Sequence, residues 1–136
     1  MKNSISNKIY NHLEFLGYKV EDISGDSDLD TLVGKHGNRS NLILRIAKND
    51  TILVSARYRV SKTNKIINDK FLNVLNSVNS KSLFTKWYYE EDEDNTITLC
   101  IETFALSYEK QAFGNIVDTL EGEVLEYMKE FTEFSE

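Results

Sequence analysis

No proline interrupts the chain. Cysteine and histidine are scarce: one Cys, Cys100, and two His, His12 and His36. The lack of proline excludes a collagen-like chain and a stiff polyproline spacer. A lone cysteine excludes an internal disulfide framework and a self-contained multi-cysteine zinc site, and it suits a reducing compartment. No run approaches the roughly 20 apolar residues of a membrane helix. Positive charge is in deficit, with 16 Lys and Arg against 22 Asp and Glu. The net charge of −6 has the wrong sign for general nucleic-acid binding, which needs clustered cations to neutralise phosphate. The segment Met1–Lys8 is polar with no apolar stretch behind it, so no secretory signal and a cytoplasmic location are expected.

What is present suits one domain spanning 1–136. The chain is 40% hydrophobic and 28% charged, without repeats or a Gly/Ser linker. A chain of this length buries roughly 70% of its unfolded surface and folds without staples.

Apolar spacing predicts eight elements. Over 4–17, Ile5, Ile9, Leu13 and Leu16 share a helical face, and Gly17 stands at the C-cap position. Short strands follow near 29–35, 40–48 and 51–60. If Ala47 pairs with Thr51 across the turn Lys48-Asn49-Asp50, then Ile46 faces Ile52, Leu44 faces Val54, and the apolar faces coincide. A second helix over 65–79 buries Ile67, Phe71, Val74, Leu75 and Val78. Two longer strands are expected near 83–90 and 96–105. Pairing Glu90 with Thr96 sets Tyr89 opposite Ile97 and Trp87 opposite Leu99, with Lys86, Tyr88, Thr98, Cys100 and Glu102 on the other face. The last helix runs over 108–134, with Ser107 as N-cap. Its heptad seam is Phe113, Val117, Leu120, Val124, Tyr127, Phe131 and Phe134. Glu121, Glu123, Glu126, Glu130 and Glu133 are expected on its acidic surface. Gly114 and Gly122 are expected where a neighbouring backbone comes close. The acidic clusters 21–30 and 90–94 read as turns. The resulting order, α-β-β-β-α-β-β-α, predicts an α+β fold: a mainly antiparallel twisted sheet with helices packed on one face.

The chain carries no recognisable catalytic or metal-binding motif. Asp26, Asp28 and Asp30 alternate like the opening of a calcium loop, but Thr31 replaces the required glycine and Gly37 the closing glutamate. Cys100 has no histidine near it in sequence to make a thiolate. His12 and His36 belong to no metal-ligand pair, and no phosphate loop, dinucleotide fingerprint or nucleophile elbow is present. The expectation is a chain that is not an enzyme, with no catalytic residue, no cofactor and no metal.

One feature points to binding. Arg45, Arg57 and Arg59 fall on a single strand face, joined by Lys86, and make a cationic patch on an acidic protein. Ile43, Leu53 and Tyr88 lie among them, whereas alternation sends Trp87 and Tyr89 to the core. Apolar residues flanked by arginine on a helix-free sheet face mark an interaction surface. The expected partner-binding set is Ile43, Arg45, Leu53, Arg57, Arg59 and Tyr88.

The stretches His12–Val20, Leu72–Asn79 and Phe84–Tyr89, followed by an acidic turn, an alternating strand and a long amphipathic helix, resemble the YbjN family. That family shares its fold with the type III secretion chaperones. The resemblance implies frequent dimerisation and a role in binding polypeptides or in regulation. It carries over no catalytic residue. The chain is therefore read as a non-catalytic protein-binding module, chaperone-like or regulatory. It is expected to form a homodimer with a protein partner, without nucleic acid or membrane. The alternative readings are a small-molecule-responsive regulator or enzyme with a helix–sheet pocket, and a toxin-neutralising immunity-type protein.

Overall fold

The computed structural model describes residues 3–60, 68–93 and 96–134. The chain begins with α1 (Ser4–Phe15), capped by the Asn3 side chain at the Ile5 N–H. It closes as the apolar spacing predicts, with Gly17 at φ +96°. The Tyr18 N–H reaches the Leu13 carbonyl and the Gly17 N–H that of Glu14, so two otherwise orphaned carbonyls are satisfied by a Schellman turn.

Next come β1 (Lys19–Asp22), β2 (Asp30–Lys35), β3 (Leu42–Ile46) and β4 (Ile52–Val60), then α2 (Asp69–Lys81), β5 (Lys86–Glu91) and β6 (Ile97–Ala105). They form one antiparallel sheet in the order β1-β2-β3-β4-β6-β5. The α+β architecture is as expected, with one strand added: β1 occupies the start of the stretch read as an acidic turn. Its residues are mostly charged, and only Val20 turns inward, so alternation left almost no trace. Residues 65–67, including Ile67, lie outside the described set; the described part of the second helix starts at Asp69, with Asn68 as N-cap.

The β3–β4 register is the expected one, Ile46 opposite Ile52 and Leu44 opposite Val54. Asp50 takes the left-handed conformation at φ 68°, which Asp tolerates better than most residues. The β5–β6 register is corrected. Tyr89 faces Leu99 and Trp87 faces Ile101, a slip of two residues. A slip of two preserves which side each residue takes, so the face assignments stand.

α3 (Lys110–Tyr127) tightens into a 3-10 helix over Met128–Phe134. Glu109, rather than Ser107, caps it, accepting from the Gln111 and Ala112 N–H groups. The seam residues Phe113, Val117, Leu120, Val124, Phe131 and Phe134 are buried against the sheet. Two glutamates expected on the surface are buried. Glu121 accepts from the Ser40 N–H, and Glu123 accepts from the Leu83 and Phe84 N–H groups and the Thr85 hydroxyl. Neither glycine of α3 is explained by a close neighbouring backbone. A Cβ at Gly114 would sit an ordinary 3.6 Å from the His12 ring, and one at Gly122 would meet nothing within 4 Å.

The core lies on the side of the sheet that carries the helices. Inward residues of β3, β4 and β6 meet Ile9 and Leu13 of α1 and the α3 seam. At the β5 end, Trp87 stacks on Phe131 at 5.7 Å, and Phe71 of α2 packs on Phe131 and Phe134. No helix among the described residues is long and apolar enough to cross a membrane.

Candidate functional site

The strand registers bring all six expected residues to the helix-free face. Ile43 and Arg45 project from β3, Leu53, Arg57 and Arg59 from β4, and Tyr88 from β5. They do not contribute alike. Arg45 and Arg59 are exposed, while Ile43, Leu53, Arg57 and Tyr88 are partly buried. Arg57, Cys100 and Tyr88 stand side by side on β4, β6 and β5. The Arg57 guanidinium reaches Glu90 at 3.4 Å, and the Tyr88 hydroxyl donates to Glu102 at 2.7 Å. The Lys86 ammonium sits 5.2 Å over the Tyr88 ring. Burial and then the bond to Glu102 push the Tyr88 phenol well above its ordinary value. It stays a neutral donor at any physiological pH.

Cys100 is fully buried within this row. Burial pushes its thiol up, and Arg57 only partly opposes this. A raised thiol pKa reduces the thiolate that nucleophilic chemistry needs. His12 and His36 lie on other elements; His12 meets the Tyr108 hydroxyl at 3.0 Å, and His36 packs on Tyr18. Asp30 is buried, accepting from the Ser6 hydroxyl and the Asn3 N–H. Among the described residues no group of three or more His, Cys, Asp or Glu could hold a metal ion.

The apolar part of the face extends beyond the expected set. Leu53 pairs with Phe104 of β6, whose side chain is 61% exposed. Beside them the chain turns into β5 with Leu83 at 83% and Phe84 at 62% exposure. These four line a groove of about 440 Å³ together with Lys86 and Glu102. The Glu123 clamp on the backbone of 83–85 fixes this turn, and the Trp87 indole N–H donating to the Thr85 hydroxyl steadies it further. Residues 83–85 are thus a pinned loop and not the start of a strand. The alternation of β6 already directed Phe104 outward with Glu102 and Cys100. Leu83 and Phe84 gave only a weaker signal, two adjacent apolar residues that one strand face cannot both bury.

The face is cationic on an acidic protein. Lys19, Lys35, Arg45, Arg57, Arg59 and Lys86 occupy it against the carboxylates Glu21, Glu90 and Glu102, of which Glu90 is paired with Arg57.

The arrangement defines a class: a sheet with helices on one face and a cationic, partly apolar surface on the other. No family model and no curated protein matches the chain. Solved structures do. YbjN of E. coli, described as a candidate transcription regulator, superposes with a TM-score of 0.70 at 17% identity over 94% of this chain and 91% of that one. A protein of Methanothermobacter thermautotrophicus without assigned function gives a TM-score of 0.70 at 12% identity, over 96% of this chain and 99% of its own. The chain therefore has the YbjN fold, as the sequence resemblance implied.

Proposed function

We propose that the chain is a non-catalytic protein-binding module of chaperone or regulatory type. Its helix-free sheet face receives an acidic segment of another polypeptide, anchored by large apolar side chains. The observation that carries this reading is the groove of Leu53, Leu83, Phe84 and Phe104 beside Arg45 and Lys86. Apolar anchors supply affinity, and a cationic rim supplies orientation and association rate. The regulatory variant also agrees with the description of E. coli YbjN, whose fold this chain shares.

The charge of the face also bears on the expected homodimer. A two-fold contact through it would bring two copies of one net-cationic surface together, so an acidic partner suits it better than a second copy. Both strand edges are poor seams as well. β1 is four residues long and mostly charged, and β5 is blocked at Trp87 by Asn79.

Affinity capture from the native cytoplasm, run in parallel with wild type, Phe104→Asp, Arg45→Glu and the opposite-side control Glu126→Lys, tests the reading. Partners held by wild type and the control, lost from both face variants and released by salt, are the expected result. A partner set indifferent to both face substitutions places the interface elsewhere. Analytical ultracentrifugation over micromolar concentrations decides the homodimer: a single monomeric species throughout removes it.

A further inference from the structure

On the helix-bearing side of the sheet a cleft of about 490 Å³ opens between the β2–β3 loop and the C-terminal half of α3. That volume lies within the range of small-molecule sites, and its composition fits one. Val124, Leu125 and Met128 form an apolar wall, and Ser40, Tyr58 and Glu121 stand among the polar residues that complete the lining.

Glu121 is only 8% exposed. Among the described residues its carboxylate accepts from a single donor, the Ser40 backbone N–H, shared between the two oxygens at 3.3 and 3.2 Å. An ionised carboxylate offers about four acceptor sites, and its good charge-assisted bonds run to about 2.7–2.9 Å. Glu121 is buried and under-supplied with donors. The Arg39 guanidinium, which also lines the cleft, is bonded to Asp118 at 2.7 Å and makes no hydrogen bond to Glu121 among the described residues. A second polar group is in the same position. The Tyr18 hydroxyl, on a side chain 3% exposed, has no hydrogen-bond partner among the described residues. Tyr18 does not itself line the cleft; its ring packs on His36, which does. Burial raises the pKa of both Tyr18 and Tyr58, so both remain neutral phenols, and the Tyr58 hydroxyl is already bonded to the Ser40 hydroxyl.

We propose that this cleft binds a small organic cation: a primary ammonium on a short apolar body, with the ammonium at Glu121 and the body against Val124, Leu125 and Met128. An ammonium brings three donors and no acceptor, which matches a buried carboxylate that lines the cleft with one donor and acceptor sites to spare. An anionic ligand would meet two carboxylates, Glu121 and Asp118, set against the one Arg39 guanidinium. The site lies on the opposite side of the sheet from the cationic face and does not rest on the protein-binding reading.

The probe is phenethylamine, titrated into the full-length ¹⁵N-labelled chain, with 2-phenylethanol as neutral isostere and phenylacetate as anion. Saturable amide shifts at Ser40, Glu121 and Leu125 are expected, with the amine binding about tenfold more tightly than the alcohol and the anion weakest. Glu121→Gln should erase the preference for the amine. Leu125→Arg, at a position 71% exposed and so harmless to folding, should abolish amine binding by placing a cation at the mouth. It carries the test if Glu121→Gln does not fold. Equal affinity for amine and alcohol, shifts that map elsewhere, or no saturation by about 10 mM overturns the proposal. The last outcome is also the one given by a cleft that holds only water.

Discussion

Glu123 shows how one side chain on a surface-patterned helix can set the shape of a distant loop. From α3 it gathers the Leu83 and Phe84 N–H groups and the Thr85 hydroxyl, and so holds two large apolar side chains out toward solvent. Removing a shared acceptor strands its donors, at about 1–3 kcal/mol for a buried group. Glu123→Ala is therefore expected to lower stability by about 1–3 kcal/mol in urea denaturation and to speed hydrogen exchange at the Leu83 and Phe84 amides. Unchanged exchange at those two amides would show that the loop does not depend on the clamp. Gly122 gives the opposite sign. It sits exposed inside α3, with nothing near a substituted Cβ. Ala in its place recovers about 0.5–1 kcal/mol of helix propensity and unfolded-state entropy, so Gly122→Ala should raise the denaturation midpoint. Neither residue's role was legible in the sequence. Glu123 is one acidic residue among several on an acidic helix, and only the tertiary fold brings the 83–85 backbone beneath it.

At the scale of elements, the period of the hydrophobic pattern carried most of the information. β3, β4 and α3 alternate or repeat over enough residues to fix both their type and their buried side, and Leu44, Val54 and Leu120 are fully buried as the pattern requires. Leu120→Ala should accordingly cost about 2–5 kcal/mol. β1 escaped because a four-residue edge strand with one inward side chain has no period to read. The β5–β6 register slipped by two because alternation is blind to even shifts, and the ladder is set by long-range packing such as Trp87 on Phe131. The edge of β5 holds a device no pattern reveals. The Asn79 side-chain amide donates to the Trp87 carbonyl at 2.7 Å and accepts from the Trp87 N–H at 2.8 Å, occupying the place of a neighbouring strand. An open edge is a template for another chain. Asn79→Ala should lose about 1 kcal/mol or more of stability and increase self-association on sedimentation. A variant as monodisperse as wild type would mean that Asn79 tidies the edge without guarding it.

At the scale of the molecule, α1 is fastened at both ends by polar contacts to other parts of the chain. Asn3 and Ser6 bond to Asp30 of β2, and His12 meets Tyr108 just before α3 and packs on Phe113 within it. The candidate face was legible at this scale because a strand period sorts charges onto sides, while its apolar end was not, since Leu83 and Phe84 lie in a loop. The His12 junction makes stability depend on pH in a direction that can be worked out. Burial, and then the charge of Lys110, lower the His12 pKa below its ordinary 6.5. Lys8 lines the same hollow, and among the described residues no carboxylate lines it to offset these two cations. Because the folded pKa is the lower one, the unfolded chain binds more protons as pH falls through 6.5 toward the folded value. Stability contributed by neutral His12 is complete above 6.5 and is lost on acidification through that window. The urea midpoint of the wild type should therefore fall between about pH 7.5 and about pH 5.5. His12→Gln, which keeps a polar partner for the Tyr108 hydroxyl but cannot titrate, should fall less over the same interval. An identical decline in the two proteins, or a wild-type midpoint that rises on acidification, would assign the pH dependence to other groups and leave His12 a packing residue alone.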